Sequence, residues 1–258
     1  MHRFFISPQS ISRTGITLSG QQAHQIANVL RLDRGETIIV LDNSGWQYEV
    51  ELTAVGTDKV AGSIRSKNLA SGEPRTKITL YQGLLRSHKF EFVLQKCTEV
   101  GVVTFVPTIC ERCVVANISE ASPVKLERWQ RIIAEAAEQS GRGKLPVLRP
   151  ATLFQQACEE VRGLSFIAWE GEDLTSLRAF LRNSNMAKVD AEDDQPVVRP
   201  FSVNIFIGPE GGFSLYEVQR AQSYGIIPVS LGPRILRAET AAIAASTITL
   251  YDTGDLGE

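Results

Sequence analysis

Two glycine-bearing stretches near the C-terminus hold the residue types best suited to chemistry. The first is Gly208-Pro209-Glu210-Gly211-Gly212, and the second is Gly232-Pro233-Arg234-Ile235-Leu236-Arg237-Ala238-Glu239-Thr240. Glycines let a backbone approach a ligand closely. The amides of Gly211, Gly212 and a helix beginning at Ser214 can hold polar or anionic groups. No Lys-Ser/Thr pair follows the first stretch, so it is not a P-loop, and its spacing is not that of the dinucleotide fingerprint. In the second stretch, Ile235 and Leu236 either anchor the loop in a core or wall an apolar slot for a flat ring read by backbone groups. Arg237 and Glu239, beside each other at a helix start, either form a surface pair or orient a substrate.

The elements that must position these loops follow from periodicity. Val203, Ile205 and Ile207 lie in a short apolar run that reads as a buried strand leading into the first loop. Ser214-Leu215-Tyr216-Glu217 has the form of a capping box and predicts a helix to about Tyr224. A strand over 226–231 leads into the second loop, and a helix from Glu239 to about Tyr251 closes the pattern. Both loops then stand at carboxyl ends of strands, where open α/β sheets bind ligands. Upstream, strands are predicted over 78–84, 102–109 and 164–169, and helices over 89–100, 123–140, 152–161 and 174–181. Such alternation argues for a mainly parallel sheet. Residues 1–70 read instead as a β-rich unit with one short helix near His24, closed as a small, mostly antiparallel barrel. Residues 68–75 read as a linker. Asn183–Pro200, with Asp190, Glu192, Asp193 and Asp194, reads as a flexible acidic surface insertion.

The bulk composition narrows the function classes. The chain has 258 residues, of which 43% are hydrophobic and 22% charged, with a formal net charge of −2. It can bury a core, and global charge names no partner. Lys plus Arg against Asp plus Glu is 8 to 7 over residues 1–75, 11 to 7 over 76–150 and 8 to 15 over 151–258. A polyanionic substrate would therefore meet the first two segments more readily than the last. No apolar run has transmembrane length and the first residues lack a signal-peptide core, so a soluble cytoplasmic protein is expected. Cys110 and Cys113 have C-x-x-C spacing, but no second pair or His follows at zinc-site distance. Structural or spare thiols are expected, and no metal.

Several motifs in fixed order carry a resemblance. Ile207-Gly-Pro-Glu-Gly-Gly-Phe-Ser214, Leu231-Gly232 and Ile235-Leu-Arg-Ala-Glu-Thr-Ala241 resemble the RsmE family of ribosomal RNA methyltransferases, which usually has Thr at the position of Ala238. His2-Arg3-Phe4-Phe5, His24 with Val29-Leu30-Arg31 and Gly35, and Gln95-Lys96-Cys97-Thr98-Glu99-Val100-Gly101 are similar to its upstream signatures, with Leu usual at Val100. Arg112, Arg128-Trp129, Glu135-Ala136, Gln139-Ser140-Gly141-Arg142 and Pro146 follow in order. The resemblance covers nearly the whole chain apart from the acidic insertion.

What the resemblance implies is concrete. Such enzymes methylate N3 of one uridine in 16S ribosomal RNA of the small subunit, with S-adenosylmethionine as methyl donor, and act as homodimers. Residues 1–72 would be a PUA-like β-barrel that binds RNA. Residues 73–258 would be a SPOUT α/β methyltransferase domain tied in a trefoil knot. Gly208, Glu210, Gly211, Gly212, Leu231, Gly232, Ile235, Leu236 and Thr240 would hold the donor. On the chemistry of that reaction, Arg237 would stabilise charge on the uracil, with Arg142 or Arg112 as substitutes. Glu239 is a candidate proton acceptor that can instead hold Arg237 in place, with water taking the proton. Arg3, His24, Arg31, Lys96, Arg112 and Arg128 are candidate RNA contacts, although Lys96 and Glu99, three apart on one helix, can instead pair with each other. Two other readings stand beside this one: methylation of ribose 2′-O or a transfer-RNA base by the same superfamily, and an RNA-binding assembly factor without turnover.

Overall fold

The computed structural model describes residues 1–114, 123–184 and 202–257. Residues 185–200, most of the acidic insertion, lie outside the described residues. The chain divides into two compact units, one of residues 1–73 with 134–145, the other of 74–133 with 146–258.

The first unit holds a five-stranded sheet. Its strands are β1 (Arg3–Phe5), β2 (Gly15–Ser19), β3 (Thr37–Leu41), β4 (Trp46–Val55) and β5 (Lys59–Leu69), ordered β1-β3-β4-β5-β2. The expectation of mostly antiparallel pairing holds for three ladders, whereas β1 runs parallel to β3. Alternation in β4 sends Tyr48, Val50 and Leu52 inward, against Phe4, Ile16, Ile38 and Val60. A short helix α1 (Gln21–His24) runs on into a π-helical turn over Gln25–Val29, and the pair buries Ala23 and Ile26.

The second unit is built on a parallel sheet of β6 (Lys77–Gly83), β7 (Thr104–Ile109), β8 (Val147–Leu148), β9 (Thr152–Leu153), β10 (Leu164–Ala168), β11 (Ser202–Ile207) and β12 (Ile227–Val229). Its order is β12-β10-β11-β6-β7-β8, with β9 also on β7, and every ladder is parallel, as the alternating pattern predicts. Central strands buried on both faces are rich in apolar residues, as β6 and β11 are, and their buried polar residues Gln82 and Asn204 are hydrogen-bonded. Tyr81 and Phe206, directly paired across them, stack at 4.3 Å between ring centroids.

The helices are α2 (Ser87–Val100), α3 (Pro123–Gln139), α4 (Phe154–Glu160), α5 (Leu177–Asn183), α6 (Leu215–Ser223) and α7 (Ala238–Asp252). α2 ends at Gly101, whose φ of 125° suits glycine. α7 is lined with small buried residues, Ala241, Ala242, Ala245 and Ser246, and packs closely on α2. Two predicted helix starts are displaced. Thr152 and Leu153 extend along β7 before α4 begins, and α5 starts only after Ser176, whose hydroxyl accepts from the Ala179 amide. No helix among the described residues is long and apolar enough to cross a membrane.

Candidate functional site

Three loops leave the carboxyl ends of neighbouring parallel strands: 169–176 after β10, 208–214 after β11 and 230–237 after β12. Together they enclose a cavity of about 880 Å³, reached also by Lys89 of α2. That size falls in the range of small-molecule sites, roughly 300–1,000 Å³.

Backbone bonds hold the loops in place. Trp169 donates its amide to Val229 O at 3.1 Å, Leu177 to Ser230 O at 3.0 Å, and Ser230 to Thr175 O at 2.8 Å, so the first and third loops are laced together. Glu172 Oε1 accepts from the amides of Leu174 and Thr175 and fixes the turn between them. In the second loop Gly212 closes a tight turn by donating to Pro209 O at 2.9 Å, at a φ of 67°. From below, the Gln82 side chain donates to Gly208 O at 3.3 Å.

The predicted capping box is present. Ser214 Oγ accepts from the Glu217 amide, and Glu217 Oε2 accepts from the Ser214 amide at 2.9 Å. Its other oxygen, Oε1, accepts from the Glu111 amide at 2.8 Å, while Ser214 Oγ donates to Glu111 Oε2 at 2.6 Å. Arg112 then donates to Gly211 O at 3.2 Å. The Cys110–Cys113 turn therefore clasps the second loop from outside, a role spacing did not reveal because these partners lie about a hundred residues apart.

Of the nine expected donor-holding residues, Gly208, Glu210, Gly212, Leu231, Gly232, Ile235 and Leu236 line the cavity, and Gly211 and Thr240 do not. Ile235 is 86% exposed on its wall, while Leu231 and Leu236 are half-buried. Glu210 accepts from the Arg86 amide and pairs with Lys89 at 3.4 Å. Burial pushes its carboxyl up, but hydrogen bonds from its own amide, Arg86 and Lys89 prevail and hold it below its ordinary value.

Arg237 and Glu239 both line the cavity, at the start of α7. Among the described residues no ion pair joins them, and the surface-pair alternative is not what the structure displays. Glu239 Oε2 is buried without a hydrogen-bond partner. A polar atom in that condition is costly unless a ligand satisfies it. The glycine-floored loops, the half-buried aliphatics and this orphaned oxygen together fit a nucleoside-sized ligand with an apolar ring and a polar, charged end.

Arg142 is placed otherwise. It belongs to the first unit, is 3% exposed, and meets Glu73 through Nε at 3.0 Å and Nη2 at 2.7 Å. Glu73 Oε1 also accepts from the amides of Gly143 and Lys144. The structure does not bring Arg142 to the cavity lining. Among the candidate RNA contacts, Lys96 pairs with Glu99 at 2.9 Å, Arg128 with Glu91 at 2.8 Å, and Arg3 donates to Gln47 at 3.0 Å. His24 meets Asn28, and Arg31 is exposed in a left-handed conformation. Among the described residues no cluster of three or more His, Cys, Asp or Glu side chains could hold a metal.

A sequence profile of an RNA methyltransferase domain matches residues 72–250. The chain is 34% identical over 249 residues to the ribosomal RNA small subunit methyltransferase E of Synechocystis, covering 95% of this chain and 75% of that protein. It is 31% identical to the protein of the same name from Bacillus subtilis, over 98% and 97% of the two chains. The fold is similar to that of a Neisseria gonorrhoeae ribosomal RNA small subunit methyltransferase E bound to S-adenosyl methionine, with a TM-score of 0.79 and 30% identity over 97% of each chain. A Legionella pneumophila structure holding SAM gives 0.82 and 31% over 96% of each.

Proposed function

The chain belongs to the ribosomal RNA small subunit methyltransferase E family, and on that premise we propose that it moves a methyl group from S-adenosylmethionine to N3 of one uridine in 16S ribosomal RNA. The observation that carries this reading is the meeting of three strand-end loops on one cavity in a chain whose relatives were solved with that donor. The bound donor supplies an electrophilic methyl group. Leu231, Ile235 and Leu236 would pack its ring, and Gly208, Glu210, Gly212 and Gly232 would admit its polar atoms. Gly211 and Thr240 would act from behind the wall.

The protein's own task is proton and charge management. Uracil N3 carries a proton at neutral pH and becomes nucleophilic only as that proton leaves. Arg237, exposed and without an ion-pair partner among the described residues, is placed to stabilise the charge that spreads onto the uracil oxygens. Glu239, not tied to Arg237, is the group assigned to accept the proton. Arg3, His24, Arg31, Lys96, Arg112 and Arg128 are the candidate RNA contacts, of which Lys96 and Arg128 would have to leave Glu99 and Glu91 to reach phosphate, and cationic contacts of this kind make binding salt-dependent.

The finer architecture belongs to the same reading. Residues 1–72 are a PUA-like RNA-binding barrel, supported by the five-strand ladder. Residues 73–258, apart from the 134–145 stretch that belongs to the first compact unit, are a SPOUT domain with a trefoil knot. Its support is the path of the chain, which leaves edge strand β12 laced to the 169–176 loop and returns in α7 to pack on α2. A homodimer would cover Ile235, and a cytoplasmic location is supported by the ribosomal substrate.

Incubation with small subunits and isotope-labelled donor, then mass spectrometry of digested RNA, tests the proposal. Label on a uracil base of 16S RNA is expected. Label on ribose or transfer RNA, or none at all, would overturn it.

A further inference from the structure

Glu170 has a position that the family motifs do not account for. It is the second residue of the 169–176 loop, lines the cavity with an exposed side chain, and has no hydrogen bond or ion pair with any described residue. Both its carboxylate oxygens lie 3.1 Å from where a Cβ on Gly212 would stand. The missing side chain of Gly212 thus makes the space that the carboxylate fills. The neighbouring backbone is confined as well, because a Cβ on Gly171 would stand 2.6 Å from the Trp169 ring. The result is a carboxylate brought up to the turn of the second loop, inside the candidate donor site.

Glu170, Asp173 and Glu239 line the cavity with no ion pair among the described residues, and of these Glu170 is the one seated against the second loop. Lys89 and Glu210 neutralise each other at 3.4 Å. The remaining cations on the wall, Arg234 and Arg237, both sit on the third loop, not on the first or second. No cation of the 169–176 or 208–214 loops faces Glu170 across the cavity lining. Glu170 is exposed at the cavity wall in the unliganded chain, and a ligand that displaces water from the cavity would strengthen the attraction of this carboxylate for a cation. The methyl donor carries a permanent positive charge on sulfur. Its demethylated product has the same adenosine and amino-acid groups, and lacks that charge.

We infer that Glu170, seated against Gly212, is a specificity-determining residue that reads the positive charge at the donor's reactive end and so favours fresh donor over spent product. This inference rests on the donor-site reading above. It assigns Glu170 a binding and selection role and no part in proton transfer. The aliphatic and backbone contacts cannot supply the discrimination, since donor and product present the same ring and ribose to them.

Isothermal titration calorimetry with three ligands tests it. The probes are S-adenosylmethionine, S-adenosylhomocysteine, and sinefungin, whose protonated amine stands in place of the donor's transferable methyl, beside the sulfonium position. Glu170→Gln removes the charge at constant size. It is expected to weaken the methionine form and sinefungin about tenfold, a change within reach of one charge contact near a protein surface, and to leave the homocysteine form within about twofold. Glu170→Asp, which keeps the charge, should recover part of the preference. Equal weakening of all three ligands would make Glu170 a packing residue and overturn the inference, as would unchanged binding of all three. Failure of the unaltered protein to bind any of them would instead sink the donor-site reading itself.

Discussion

Gly83, at the end of β6, lies directly beneath Pro209: a Cβ at position 83 would stand 2.5 Å from Pro209 N and 2.8 Å from Gly208 C. Both obstacles are backbone or ring atoms of the adjoining strand end, and they cannot swing aside. A strand glycine at such a point marks close approach of another backbone. Gly83→Ala is expected to destabilise the second unit by about 1–3 kcal/mol, the usual cost of overpacking. It should also weaken donor binding, because relief requires the 208–214 loop to lift. Urea denaturation beside calorimetric titration reads both effects. A variant with normal stability and normal affinity would refute the packing argument.

The two arginines named from sequence should separate cleanly. Arg237→Ala should leave the thermal midpoint unchanged and lower turnover about 100-fold or more, the scale for loss of one charge-stabilising donor. Arg142→Ala should behave in the opposite way. It strands Glu73, whose oxygens would lose two guanidinium bonds. Breaking a buried pair costs about 3 kcal/mol. Differential scanning calorimetry and a methyl-transfer assay on both variants decide the matter. Normal turnover by Arg237→Ala would remove it from the catalytic assignment.

These contrasts mark what sequence could and could not convey. The strand, glycine turn and capping box over 203–217 were legible because each is a local device, set by residues three or four apart. So was the parallel sheet, which follows from alternating elements. Arg142 was singled out through its place in a family-like motif, and its partner Glu73 is distant in the chain. Whether a charged side chain is buried against an opposite charge depends on tertiary neighbours, to which spacing is blind. Gly83 was invisible for the same reason, since its constraint arises only when β11 lies beside β6. The start of α4 was missed because Thr152 and Leu153 gain ladder partners on β7, and that pairing overrides their place in a helical pattern.

Glu138 supplies a pH test of the first unit. Burial pushes its carboxyl up to about 6, against the lowering effect of the Phe5 amide, and Glu135 adds to the rise. The Phe5 amide donates to Glu138 Oε1 at 2.8 Å. A folded value above the unfolded one favours the protonated native state, so this contribution is present below about pH 4.5 and is lost as pH rises through about 6. Glu138→Gln keeps a carbonyl acceptor and cannot ionise. It should gain about 1 kcal/mol over the parent at pH 7.5, after allowance for partial solvent screening, and nothing at pH 4.5. Thermal melts across that range check it. A constant difference at every pH would show that the carboxyl does not titrate as stated.

The four cysteines should react in a defined order. Hydrogen bonding from the Cys110 thiol, aided by the amides of Cys110 and Leu84, outweighs burial and brings Cys113 down to about 7. Burial pushes Cys97 and Cys158 up to about 12. The thiolate is the nucleophile. Iodoacetamide should therefore label Cys113 first in the native protein, at a rate that climbs through about pH 7, and peptide mass mapping identifies the site. Equal labelling of Cys97 without unfolding would contradict this order. Donor affinity is expected to fall in parallel with the labelling, since the Cys110–Cys113 turn carries Arg112 to Gly211.

Residues 134–145 return the chain to the first unit after sixty residues spent in the second. Ala137 packs there with Phe5 and Leu41, Glu138 receives the Phe5 amide, and Arg142 clamps Glu73. A recombinant fragment cut after residue 73 would lack all three of these supports. Evolution meets the same constraint. A crossover that exchanged only the first 73 codons between relatives would join a new sheet to an old 134–145 segment. Productive recombination must move both pieces together, so the two halves of this protein are expected to share one inheritance along their whole length.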